Sequence, residues 1–151
     1  MTNSEIIKII EAAKAQGKIV VATNGCFDIL HLGHLKYLER SKALGDILVV
    51  GLNSDTSVKQ LKGESRPINP EADRAALLLG LKPVDHVLIF DELDASEFLR
   101  LVKPNIYTKG ADYQAESLPE FPASQEIGAK IELIELVDGK STSSVIDKLN
   151  D

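Results

Sequence analysis

The chain predicts a doubly wound α/β fold with a mainly parallel sheet of about five strands, in one domain spanning 1–151. Three observations predict it. Short apolar runs rich in Ile, Leu and Val alternate with stretches of helical period. The first strand, helix and second strand fit within about 35 residues, enough for a right-handed crossover between parallel strands. The turn after the first strand, Gly25-Cys26-Phe27-Asp28-Ile29-Leu30-His31-Leu32-Gly33-His34, opens directly into a helical pattern. In such folds that turn is where phosphate binds.

Each element follows from local chemistry. Ile6, Ile7, Ile9, Ile10 and Ala13 recur at helical spacing before Gly17, which suits a helix C-terminus. A buried strand runs from Lys18 to about Thr23. Leu35, Leu38, Ala43 and Leu44 form the stripe of the next helix, closed by Gly45, and Ile47 to Leu52 reads as a strand covered on both faces. Asn69 is expected to cap a helix that has Pro70 at its first position and runs through Leu79. Val87 to Phe90 is a strand, Ala95 to Val102 a helix that stops before Pro104, and Ile106 to Thr108 and Ile131 to Leu136 two more strands. A last helix runs from about Ser141 to Leu149. The polar stretch from Gln114 to Ser124, with Pro119 and Pro122, reads as a mobile loop. The layout is Rossmann-like, with ligands expected beyond the carboxyl ends of the strands.

Composition narrows the function classes. No apolar run reaches the roughly 18 residues of a membrane span, and Met1 to Glu5 lacks the layout of a secretory signal, so a soluble cytoplasmic protein without a membrane partner is expected. Cys26 is the only cysteine, which leaves no intrachain disulfide and no thiolate metal cluster. Its place in the turn is compatible with a nucleophile, and equally with a small side chain packed in a tight bend. A net charge of −6 argues against a nucleic-acid partner. It also requires that cations be gathered locally if a polyphosphate is to bind.

The turn carries the chemistry. If the helix starts near Leu32, its unpaired N–H groups and positive dipole end face the crevice, with His31 and His34 projecting together beside them. Gly33 lets a phosphate approach the backbone closely. Imidazoles with an ordinary pKa of about 6.5 can be protonated donors beside a polyanion. The expected task is to neutralise charge growing on an α-phosphate and its bridging oxygen, with no covalent bond to the protein.

The run from Asn24 to His34, with Tyr37-Leu38 beyond it, strongly resembles the His-x-Gly-His signature of the cytidylyltransferase-like nucleotidyltransferases. The resemblance extends over nearly the whole chain. Leu44 to Asp55, Val58 to Pro67 and Lys109-Gly110-Ala111-Asp112-Tyr113 look most like the D-glycero-β-D-manno-heptose 1-phosphate adenylyltransferase branch. By that resemblance Phe27, Asp28, His31, Gly33 and His34 belong to the nucleotide and catalytic site. Lys59, Lys62 and Arg66 fall in a polar stretch where the family places residues that reach the phosphates, although a solvated charged loop would look the same. Lys62 stands ahead of Lys59 and is counted with the catalytic residues. Arg74 matches an arginine that faces the triphosphate, or else is a surface arginine. Lys109 and Asp112 would look into the crevice from the far side of the switch in strand order, and Ser141, Thr142 and Ser143 resemble the family's closing Ser-Thr-Thr motif at a helix start.

Two departures bear on the substrate. The glycerol phosphate cytidylyltransferases carry an arginine before the closing serine, where this chain reads Leu136-Val137-Asp138-Gly139-Lys140. The heptose enzyme is often fused to a sugar kinase, and these residues contain none, so a separate kinase is the expected source of the sugar phosphate. The resemblance therefore implies transfer of AMP from ATP to a sugar 1-phosphate. Alternatives are CMP transfer to glycerol 3-phosphate or another polyol phosphate, AMP transfer to phosphopantetheine, or a nucleotide-binding sensor without turnover. Mg²⁺ is expected to bind mainly through the nucleotide phosphates, with no dedicated protein metal site. A homodimer is implied by resemblance alone.

Overall fold

The computed structural model describes residues 1–136 and 146–149. Five strands, β1 (Val20–Gly25), β2 (Ile47–Asn53), β3 (His86–Phe90), β4 (Ile106–Gly110) and β5 (Lys130–Ile134), form one parallel sheet in the order β3-β2-β1-β4-β5. The helices are α1 (Asn3–Ala15), α2 (Leu32–Lys42), α3 (Asp55–Lys62), α4 (Glu71–Leu79), α5 (Ser96–Val102) and α6 (Phe121–Ile127). Strand period two divides the core between the two faces of the sheet. Val20, Ala22, Val49, Leu88 and Tyr107 pack with Ile6 and Ile10 of α1 and Phe98 and Leu99 of α5. Val21, Leu48, Val50 and Leu52 pack on the other face with Phe27, Leu38 of α2 and Leu78 of α4. This is the doubly wound α/β architecture that the alternation of elements predicts.

Sheet growth reverses between β1 and β4, and there the ladder is short. β1 pairs with β2 at six positions, from Val20↔Ile47 to Gly25↔Leu52. With β4 it pairs at two, Val21↔Ile106 and Ala22↔Tyr107. Beyond Ala22 and Tyr107 the strands part, which opens a crevice at the switch point.

Three local expectations are corrected. The polar stretch after Asn53, to which the sequence assigns no element, is a helix, because Ser54 caps α3 by accepting from the Ser57 N–H at 3.2 Å, with Asp55 in the first turn facing the positive dipole end. Asn69 does not cap α4; Pro70 holds the N-cap position, and the Asn69 side chain donates instead to the Asp28 carbonyl at 2.8 Å. The stretch 114–124 holds a 3₁₀ turn (Ala115–Ser117) and the start of α6 rather than a loop. Pro122 suits a first helical turn, Leu118 and Ala123 are buried, and the buried Glu120 accepts from the Ala95 N–H at 3.0 Å, fastening this segment to α5. The helix expected over about Ser141 to Leu149 lies largely outside the described residues; 146–149 are helical.

Candidate active site

α2 starts where the sequence predicts, and its two histidines build the start. His31 is the N-cap, in extended conformation, and its Nδ1 accepts the Gly33 N–H at 3.0 Å. His34, three residues on, accepts the His31 N–H on Nδ1 at 3.3 Å. This is a capping box made of imidazoles. The expected open amide at Gly33 is thus corrected: its N–H is held by the His31 ring. Because both Nδ1 atoms accept, each neutral ring carries its proton on Nε2. The rings lie 3.9 Å apart between centroids, and His34 meets the edge of Phe27 at 5.3 Å. Phe27 has φ +45°, and a Cβ on Gly25 would come within 2.9 Å of its ring, so the tight turn needs glycine at position 25.

Burial, and next the neighbouring His31, pull His34 down to about 4. In the ligand-free protein the His34 ring is therefore neutral near pH 7 and offers one N–H from Nε2. A ring titration followed by NMR should give a midpoint of about 4 for His34, and a midpoint at the ordinary 6.5 would sink this reading. The sign for stability follows. As pH falls from 6.5 to about 4 the unfolded chain binds a proton that the folded ring refuses, so the stabilisation is present above 6.5 and lost across that window.

The crevice at the carboxyl ends of β1, β2 and β4 encloses about 470 Å³. Phe27, Asp28, His34, Lys62, Arg66 and Lys109 all line it. Lys62 reaches it from the last turn of α3, and Lys109 from β4 on the opposite side of β1. Burial lowers Lys109 from its ordinary value, against the pull of Glu120 and Asp112, and its ammonium stands 5.3 Å over the Tyr113 ring.

Other expected residues lie elsewhere. Lys59 is exposed on α3 and does not line the crevice. Asp112 is exposed beyond β4, with its carboxylate folded back over Gly110, where a Cβ would meet Oδ1 at 2.6 Å. Arg74 is not a surface arginine: it is 1% exposed and donates to the carbonyls of Asn69, Cys26 and Asn53 at 2.7–2.9 Å and to the Asp55 carboxylate at 2.8 Å. It braces the floor of the crevice from behind. Asp28 faces the chain as much as the crevice. It accepts from the N–H groups of Ile68 and Asn69 and from Arg66 Nε at 2.6 Å. Burial pushes its carboxyl up, but those donors outweigh burial and hold it below the usual range. Ser141, Thr142 and Ser143, with the departure at Val137 to Lys140, lie outside the described residues.

Sequence reasoning missed Asn24, Asn53, Asp94, Tyr113 and Glu120, all of which line the crevice. Asn24 and Asn53 directly follow the predicted strands, so their position at carboxyl ends was the available signal. Asp94 and Glu120 come from the segments flanking α5 and α6, which no local motif marks. Burial pushes the Cys26 thiol up despite the nearby Lys62, Arg74 and Arg66, which disfavours the thiolate that a nucleophile needs.

A parallel sheet whose switch-point crevice gathers imidazole N–H and cationic groups defines an α/β protein of the phosphate-handling class. The model of the cytidylyltransferase-like family matches residues 22–145, and the chain belongs to that family. It is 50% identical over 141 residues to the Bifunctional protein HldE of Geobacter metallireducens, a match covering 93% of this chain and 29% of that protein. The Bifunctional protein HldE of Nitratiruptor sp. is 49% identical over 145 residues, covering 96% and 30%. The chain thus spans about three-tenths of the length of these curated relatives. The crystal structure of the lipopolysaccharide core biosynthesis protein from Thermoplasma volcanium GSS1 matches with a TM-score of 0.64 at 38% identity, over 80% of this chain and 98% of that one.

Proposed function

We propose that this chain is an adenylyltransferase that joins AMP from ATP to a sugar 1-phosphate, D-glycero-β-D-manno-heptose 1-phosphate, and releases pyrophosphate. One observation carries the reading: His34, Lys62, Arg66 and Lys109 line a single crevice at the switch point. The matched relatives, and the lipopolysaccharide core protein among solved structures, support the sugar-nucleotide branch.

In this reading the triphosphate lies along the α2 start. An oxygen of the sugar phosphate attacks the α-phosphorus as the bond to the bridging oxygen breaks, and pyrophosphate leaves in line. His34 donates from Nε2 to the α-phosphate as charge builds there, with His31 fixing the helix start. Lys62 and Arg66 hold the outgoing phosphates, Lys109 steadies the opposite side, and Phe27 keeps the His34 ring upright. Catalysis is by positioning and neutralisation of charge. No group of three or more His, Cys, Asp or Glu among the described residues is arranged to hold a metal. A Mg²⁺ ion brought in with the nucleotide would supply neutralisation of phosphate charge beside Lys62 and Arg66. No described helix is long and apolar enough to cross a membrane. We place the reaction in the cytoplasm, supplied by a sugar kinase, with a homodimer as the expected assembly.

A pyrophosphate-release screen crossing ATP and CTP with heptose 1-phosphate, glycerol 3-phosphate and phosphopantetheine tests the proposal. Turnover is expected with ATP and the heptose. Preference for CTP with glycerol phosphate overturns the substrate assignment, and no turnover with any pair favours a sensor. Lys62→Ala should raise KM for ATP about tenfold with kcat little changed, the loss of one exposed charge-assisted contact. An unchanged KM would remove Lys62 from the phosphate wall.

A further inference from the structure

The β1–β4 ladder stops at Ala22 and Tyr107, yet the two strands remain tied above that point by side chains. The Thr23 hydroxyl donates to the Thr108 carbonyl at 3.2 Å, and the Tyr107 hydroxyl donates to Asn24 Oδ1. Tyr37, one turn past His34 on α2, places its hydroxyl between them, 2.7 Å from Thr23 Oγ1 and 3.2 Å from Thr108 Oγ1. Ser41, a further turn along, reaches Thr108 Oγ1 at 2.9 Å. Thr23, Ser41 and Thr108 are fully buried. Four hydroxyls thus form a closed network where the rest of this face packs Val, Leu and Phe.

Stability alone does not call for such a network, since apolar groups of the same shape serve a core about as well. Its placement offers another reason. It joins the helix that carries both histidines to the strand residue next to Lys109, across the gap that forms the crevice. We infer that Tyr37 is a positioning residue, whose hydroxyl sets the rotation of α2 against the parted β1–β4 seam and so fixes the His34 ring relative to the Lys109 wall. The inference rests on the adenylyltransferase reading of this crevice. A ring displaced by a fraction of an ångström loses transition-state contact more than ground-state binding.

The test pairs Tyr37→Phe with Ser41→Ala, a change in the same network that leaves the Tyr37 hydroxyl bonded to both Thr23 and Thr108. Tyr37→Phe should lower kcat about tenfold or more while KM for ATP stays within about twofold. Ser41→Ala should also lower the melting temperature, while kcat stays within about twofold of wild type. If kcat falls alike in both variants, in step with the melting temperature, the network is structural only and the inference falls. Should Tyr37→Phe fail to fold, Thr23→Val, which removes the partner 2.7 Å from the Tyr37 hydroxyl, should show the same fall in kcat, and an unchanged kcat there overturns the inference. The His34 ring resonances of the ligand-free proteins provide a readout independent of turnover. They should shift in Tyr37→Phe, and resonances identical to wild type overturn the inference. A wild-type protein that turns over no substrate pair instead counts against the function proposed above.

Discussion

Replacing His31 by Asn and His34 by Gln should lower kcat by about 10²-fold or more at nearly unchanged stability. The choice of residues matters, because both imidazoles cap α2 as well as line up at its start. His31 Nδ1 holds the Gly33 N–H and His34 Nδ1 holds the His31 N–H. Alanine would remove the caps and cost about 1 kcal/mol for each, which confuses folding with chemistry. Asn is a good N-cap, and Gln at the third helical position completes a capping box. The double variant therefore keeps the helix start and deletes the two Nε2–H donors. Steady-state pyrophosphate release and a thermal melt read the two effects separately. Near-normal turnover would remove the imidazoles from the mechanism, whereas collapse of the fold would show that the caps need the rings themselves.

The second large effect is on stability. Arg74→Met should destabilise the fold by about 3–5 kcal/mol, read as a fall in the denaturant midpoint with little change in slope. Most of that cost arises at the carbonyls of Cys26, Asn53 and Asn69, which would lose their donor. The Asp55 carboxylate adds little, because its side chain is 36% exposed and can be hydrated. Arg74→Lys should recover less than half of the loss, since an ammonium lacks the planar fork that serves several carbonyls at once. A variant as stable as wild type would mean that the turn after β1 and the end of β2 hold their places without it. Both carbonyl groups belong to the crevice floor, so a milder variant should also bind nucleotide poorly.

Much of the fold was legible because it is written in local chemistry. The alternation of apolar strands and striped helices, and the start of α2 at Leu32, depend on residues within a few positions of each other. α3 was missed although its signal was equally local: Ser54 ahead of Asp55 is an N-cap followed by a first-turn acid. α6 was missed because two prolines and a polar composition resemble a loop until the contact of Glu120 with Ala95 is known. The arginines illustrate what sequence reasoning could not separate. Arg66 and Arg74 look alike in the chain, but one lines the crevice beside Asp28 and the other lies buried beneath it.

The sequence by itself determined the order of the five strands, the parallel sheet, the imidazole pair after the first strand and the cations after the second, since periodicity and caps act over a few residues. Only the tertiary structure decided which cations face the crevice, that Asp28 anchors residues 66–69, and that burial keeps the His34 ring neutral. The physical reason is distance along the chain. Arg74 meets Cys26 across 48 positions and Thr108 meets Tyr37 across 71, and the burial that sets a pKa is assembled from segments that come together only when the sheet closes around them.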